Sequence, residues 1–242
     1  MLKWIATVLL AIVVVTGRPA HAEDRQVDLL LVLAADISRS VDDRKFKLQR
    51  DGYVSAIADP RVIRAMTSGP TGRIALCFFE WASANEQNVI VDWVTISGEN
   101  DARDVAQSIA RAPRAFAGRT SISAAIDYGL EQLARSSHQA SRHVINISGD
   151  GTNNSGREET RARDEAIAKG VTINGLTILS EIPLPTNLLH TNPPGGLTAY
   201  YENNVIGGPG AFVVEAQSFE AFGQLLIGKL IKEIAEAPRR RL

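Results

Sequence analysis

Six apolar runs alternate with stretches of helical periodicity, and this alternation constrains the fold more than any other feature of the chain. The runs at 27–35, 73–80, 88–94, 142–148, 171–178 and 210–215 predict strands. The stretches 41–58, 100–111, 121–136, 157–169 and 217–236 predict helices. Several runs, such as Val144, Ile145, Asn146 and Ile147, are nearly continuous in apolar character instead of alternating. A strand reads that way when both of its faces are covered. The expected fold class is therefore α/β, a doubly wound, mostly parallel sheet with helices on both faces. Runs 73–80 and 88–94 are joined only by the short polar stretch 82–87. A connection that short makes a hairpin, and so one antiparallel edge strand.

The amino terminus reads as a targeting segment. Lys3 precedes an apolar stretch of 12 residues at 4–15, and Ala20, His21 and Ala22 form a small-x-small cleavage site. The stretch falls short of the roughly 20 residues that a membrane span requires. The expectation is a signal peptide at 1–22, export to the periplasm or medium of a bacterium, and one domain over 23–242 with no membrane span after cleavage. The formal charge is −1, and losing Lys3 and Arg18 takes it to −3. No basic footprint for nucleic acid is present. The cluster Arg239, Arg240 and Arg241 reads as a solvated terminus. Cys77 is the single cysteine and lies in an apolar run, so an exported chain of this kind stands on its core and not on an internal disulfide. His138, His143 and His190 show no metal-ligand spacing, and a zinc site is not expected.

The first strand run ends in Asp36, and Ser38 and Ser40 follow at i+2 and i+4. In extended backbone these three side chains project the same way. One carboxylate and two hydroxyls then converge, a donor set suited to a hard divalent cation such as Mg²⁺, which keeps few protein ligands and several waters. The motif holds no second carboxylate, histidine or cysteine, which argues against hydrolysis. Two further oxygens belong at neighbouring loops. Thr120, after Gly118 and Arg119, sits at a loop-to-helix junction. Asp150, between Gly149 and Gly151, follows the 144–147 run. Adjacent strands lie about 4.8 Å apart, so their loops can bring Asp36 and Asp150 to one ion. Each residue also has a structural alternative: Ser40 as N-cap of a helix from Val41 with Asp43 at the capping-box position, Thr120 as N-cap of the next helix, and Asp150 with Gly151 as a turn.

Taken together, Asp36, Ser38, Ser40, Thr120 and Asp150, with Gly151, resemble the von Willebrand factor A (vWA) family and its metal-ion-dependent adhesion site (MIDAS). The likeness extends over most of the mature chain in element order and is closest to an exported bacterial branch (DUF1194-like). What the resemblance implies is a Mg²⁺ (or Mn²⁺) ion held directly by Ser38, Ser40 and Thr120, with Asp36 and Asp150 acting largely through water. It also implies a remaining position for a carboxylate from a partner protein, and no catalysis. Arg39 and Arg119 stand where the family often has glycine; neither is a ligand position, and both either raise local positive potential or point to solvent. An alternative is a Mg²⁺-dependent phosphohydrolase with Asp36 as nucleophile, though its usual second acid two residues on is here Ser38. A metal-free scaffold is the third reading.

One segment breaks the rhythm. Residues 181–210 carry five prolines and, at 195–196 and 207–208, paired glycines, and are long for a strand connection. The segment starts at the same sheet edge as Asp36, so it either shapes a binding surface or forms a self-packed loop. Glu80 and Trp81 end a parallel run and rim that edge or serve the core. Asn146 matches a glycosylation sequon but lies in an expected core strand.

Overall fold

The computed structural model describes residues 25–179 and 187–235. The signal segment, the Arg239–Arg241 cluster and the first residues of the Pro/Gly-rich segment lie outside that range. The strands are β1 (Leu30–Asp36), β2 (Ile74–Trp81), β3 (Gln87–Ile96), β4 (His143–Gly149), β5 (Thr172–Ile178) and β6 (Val213–Ala216). The helices are α1 (Asp43–Ile57), α2 (Pro60–Met66), α3 (Glu99–Arg111), α4 (Ile122–Arg135), α5 (Glu159–Ala168), α6 (Leu188–Thr191), α7 (Leu197–Asn204) and α8 (Phe219–Ala235). The strand order is β3-β2-β1-β4-β5-β6, with β3 antiparallel to β2 and every other pairing parallel.

Side-chain alternation along the continuous runs builds two cores, one on each face. Leu31, Leu33 and Ala35 of β1 face one way, into a cluster with residues of α1, α2, α3 and α8. Val32 and Ala34 face the other way, toward α4, α5 and α7. Gly52 of α1 and Gly223 of α8 let two helix backbones nearly touch: a Cβ on Gly52 would lie 3.1 Å from Gly223 Cα and 2.5 Å from the Phe222 ring. Cys77 is buried and unpaired, as its run suggested. Asn146 is fully buried, so the sequon lies in the core.

Local chemistry explains where the helices begin. Asp42 caps α1, its Oδ1 accepting from the Lys45 N–H at 2.8 Å, and Ser121 caps α4, its Oγ accepting from Ala124 N–H at 3.3 Å. Each such cap contributes about 1 kcal/mol. The capping alternatives for Ser40 and Thr120 are thereby corrected. Neighbouring residues cap the helices, and the hydroxyls of Ser40 and Thr120 face elsewhere. Helix α2, which apolar periodicity did not reveal, is announced by Asp59 as N-cap and Pro60 at the first position. The Pro/Gly-rich segment also holds more regular structure than expected, since α6 and α7 form within it.

The topology places the site. β2 lies on one side of β1 and β4 on the other, so the chain leaves the two central strand ends in divergent directions. A crevice opens between them at the carboxyl edge, the usual ligand position in open α/β sheets. The register pairs Ala35 with Ser148, which sets Asp36 beside the Gly149–Asp150 turn.

Candidate metal centre

The loops after β1 and after β4 and the loop leading into α4 meet in this crevice. Asp36 is the last residue of β1, and its Oδ1 accepts from the Ser38 N–H at 2.7 Å, which tightens the turn after the strand. The turn is held by backbone bonds from Arg39 N–H to Gly118 O at 2.9 Å and from Val41 N–H to Ser38 O at 3.0 Å. The Arg114 guanidinium pins it further, donating to the carbonyls of Ile37 at 2.8 Å and Val41 at 2.7 Å. Asn154 ties the loop after β4 to the loop leading into α4: its Oδ1 accepts from Thr120 N–H at 2.9 Å, and its own N–H donates to Thr120 O at 2.8 Å.

The five residues singled out in the sequence come together through their side chains. Thr120 Oγ1 donates to Ser38 Oγ at 3.0 Å. Ser38 Oγ and Ser40 Oγ are 3.2 Å apart, and Ser40 Oγ donates to Asp150 Oδ1 at 2.5 Å. All five are buried, Ser40 being the most accessible at 5%. Asp36 Oδ2 and Asp150 Oδ2 are buried without a hydrogen-bond partner. Burial pushes the Asp36 carboxyl up to about 8, and the nearby Asp150 charge adds to the shift. Burial also raises Asp150, against the pull of Ser40 and Lys45.

This donor set fits a hard divalent cation. Octahedral bonds of 2.0–2.1 Å place neighbouring ligand oxygens about 2.9 Å apart, close to the 3.0 and 3.2 Å separations of the three hydroxyls. Two under-partnered acid oxygens next to them supply the negative charge. Among the described residues no group of three or more His, Cys, Asp or Glu side chains gathers to hold a metal. A cation here would therefore depend on the hydroxyls, since the donor types do not suit a thiolate- or imidazole-rich zinc centre.

Further residues support the site: Lys45 and His190, which the sequence did not single out, and Tyr200 and Tyr201 of the Pro/Gly-rich segment. Lys45 donates to Ser40 O at 2.9 Å and stands 3.5 Å from Asp150 Oδ2, with its side chain 22% exposed. Tyr201 is fully buried with an unpartnered hydroxyl, and a Cβ on Gly149 would lie 2.6 Å from that hydroxyl and 3.1 Å from Asp36 Oδ2. His190, from α6, brings Nε2 to 3.2 Å from Thr120 Oγ1, and burial lowers its pKa. Tyr200 accepts from Asn153 N–H at 3.0 Å and donates to Glu159. The Pro/Gly-rich segment therefore packs on the site. Its length and starting edge were the available signal, and nothing singled out His190. Other residues fall away from this cluster. Glu80 turns inward to a buried pair with Arg50, at 2.8 and 3.0 Å, and Trp81 is in the core. Arg39 and Arg119 are exposed, and Arg39 has no side-chain partner among the described residues.

A doubly wound sheet with an antiparallel edge strand, carrying these loops at its switch point, defines a protein of the vWA-like fold. Proximal thread matrix protein 1 from the mussel byssus, solved with a zinc-occupied MIDAS motif, is similar with a TM-score of 0.59 and 16% identity, over 86% of this chain and 46% of that one. The pilus adhesin SpaC from Lactobacillus rhamnosus GG gives 0.60 and 12%, over 86% and 31%. A von Willebrand factor type A protein from Catenulispora acidiphila gives 0.53 and 13%, over 87% and 42%. At these identities the likeness establishes the fold, and this chain spans less than half the length of each. The chain belongs to the family described as "Protein of unknown function (DUF1194)", whose pattern matches residues 26–238. No curated protein matches the sequence. Among the described residues no helix is long and apolar enough to cross a membrane.

Proposed function

We propose that this is an exported, cation-dependent protein-binding module in which Ser38, Ser40 and Thr120 hold Mg²⁺ (or Mn²⁺) and Asp36 and Asp150 balance its charge. The observation that carries this reading is the pair of buried oxygens without a hydrogen bond, Asp36 Oδ2 and Asp150 Oδ2, the second facing only the Lys45 ammonium at 3.5 Å, beside three hydroxyls at ligand spacing. When bound, the cation supplies an electrophilic position for a carboxylate of a partner protein. Neutral hydroxyls leave more of its charge uncompensated than direct carboxylates do, which favours an external acid. The occupied MIDAS motif of the byssus protein and the adhesin role of SpaC support the class of function. The Ser40 side is the most accessible, with Lys45 partly exposed and the exposed Arg39 adding positive potential.

One observation favours a cation-free scaffold instead: the Lys45 ammonium already faces Asp150. A phosphohydrolase is not supported by the geometry, because the position two residues beyond Asp36 is a serine whose N–H holds that carboxylate. The test is affinity capture from native envelope extract in Mg²⁺ and in EDTA. The binding reading expects a partner retained in Mg²⁺ and lost both in EDTA and with Ser38→Ala. Equal capture under all three conditions rejects it.

A further inference from the structure

His190 lies 70 positions from Thr120 in sequence yet touches it, and its surroundings fix what it offers. The Asn154 amide is oriented by an obligate donor, the Thr120 backbone N–H, which bonds its Oδ1 at 2.9 Å. That leaves Asn154 Nδ2 facing His190 Nδ1 at 3.2 Å. An amide nitrogen only donates, so Nδ1 accepts. The imidazole proton then belongs on Nε2, 3.2 Å from Thr120 Oγ1. Thr152 Oγ1 stands 3.3 Å from the same Nδ1 and can donate to it as well.

The ring is seated as part of the architecture. The Thr152 N–H donates to the His190 carbonyl at 2.9 Å. Gly151 lies against the ring face, and a Cβ there would fall 2.3 Å from Cε1 and Nε2. Glycine at 151 is thus required by the imidazole, not by backbone conformation, since its φ is not positive. The side chain is 3% exposed, while Leu188 and Leu189 of the same short helix face solvent.

From this seat the hydrogen bonds run in one direction. His190 Nε2–H donates to Thr120 Oγ1, Thr120 donates to Ser38, Ser38 faces Ser40, and Ser40 donates to Asp150. Thr120 Oγ1 has one proton and two lone pairs. With one pair taken by His190 and the proton directed at Ser38, a single lone pair remains for a cation.

We infer that His190 is a positioning residue of the cation site, acting through Thr120 by holding its hydroxyl with one lone pair free for the ion. The inference rests on the binding function proposed above. His190 is not itself a ligand, because its site-facing nitrogen carries the proton. The site therefore keeps an all-oxygen donor set, and the Pro/Gly-rich segment supplies its outer support. Removing such support in other metal sites weakens affinity by about 10–100-fold.

The experiment is a Mn²⁺ titration followed by electron paramagnetic resonance on the wild type, His190→Ala and His190→Gln, with long-range ¹⁵N NMR of the wild-type imidazole. The expected result is at least about a 10-fold weaker affinity in His190→Ala, with most of it restored by the amide donor of His190→Gln. The expected tautomer is Nε2–H, a wild-type measurement that stands even where the variants fold poorly. Unchanged or tighter binding in His190→Ala overturns the inference, as does an Nδ1–H tautomer. Absence of Mn²⁺ binding by the wild type overturns the proposed function, and this inference with it.

Discussion

Strand β4 contributes to two buried polar clusters, and they are completed to different degrees. Near its middle, Asn146 and its neighbour Asn174 on β5 both donate to Glu233 of α8, at 3.0 and 2.7 Å. Lys229 donates to the same carboxylate at 2.9 Å. One acid meets one base, both acid oxygens are bonded, and Asn146 Oδ1 is the one unpartnered atom of the four side chains. At the carboxyl end, Asp150 and Asp36 bring two acids together with three hydroxyls and the more distant Lys45. There, each acid keeps an oxygen without a hydrogen bond. Burial alone does not mark a functional site. What distinguishes the carboxyl edge is a charge and hydrogen-bond deficit of the kind a divalent cation would offset, which the Glu233 cluster lacks.

The largest expected effect falls on the completed cluster. Glu233→Leu strands the fully buried Lys229 ammonium and should cost about 3–5 kcal/mol. For a domain of this size that lowers the melting temperature by roughly 6–20 °C, and Mg²⁺ should not restore it beyond its wild-type increment. A melt within 2 °C of wild type, to take a threshold of about that size, would mean the cluster is no stability element.

Next comes the deficit itself. With affinity near 1 mM, Mg²⁺ at about 10 mM stabilises the wild type by about 1.4 kcal/mol, or some 3–5 °C. Asp36→Asn should abolish that increment while leaving the metal-free protein at least as stable, because a neutral amide avoids the cost of burying an ionisable carboxyl beside Asp150. Calorimetry with and without Mg²⁺ checks both halves. A metal-free Asp36→Asn protein several degrees less stable than wild type would place Asp36 with Glu233 as a structural acid.

The same carboxyl also sets a pH dependence. The folded Asp36 carboxyl titrates at about 8, above the ordinary 3.8. The metal-free fold thus retains a proton that the unfolded chain releases. Its stability is greatest below 3.8, so far as Asp36 is concerned, and declines as pH rises toward 8. Cation binding needs the ionised form, so the Mg²⁺ increment should grow across the same window. Melting curves at pH 6 and pH 8 measure the slope, and an increment that shrinks with pH contradicts the assignment. Asp36→Asn should flatten it.

The smallest effect is kinetic. Arg39→Ala removes an exposed side chain without a partner, and stability should change by less than about 0.5 kcal/mol. Association with an acidic partner should slow, with a weaker dependence on salt. Surface plasmon resonance at two ionic strengths reads this directly, and an unchanged on-rate assigns Arg39 to solvent alone.

The sheet was legible in the sequence because its strands are uninterrupted apolar runs, and the β2–β3 hairpin because its connection is so short. Helix α2 was missed because seven residues give periodicity little to work with, although Asp59 and Pro60 were visible. At the site, the residues read from strand exits converge because β-strand geometry fixes where a strand end delivers its side chains. His190, Lys45 and Arg114 reach the same crevice through tertiary packing. Their spacing carries no periodic signature, and His190 was set aside because a lone histidine has no ligand spacing. Ser40 and Thr120 looked like caps because capping and cation-binding residues share their chemistry. Only the observed caps, Asp42 and Ser121, separate the two roles.

The proposed function stands on the carboxyl edge binding a cation through hydroxyls and two charge-balancing acids. Isothermal titration of Mn²⁺ into the wild type and Ser38→Ala tests it most directly. One ion should bind per wild-type chain, and Ser38→Ala should lose binding while remaining folded by circular dichroism. No heat of binding in the wild type, or equal binding by the two proteins, would contradict it.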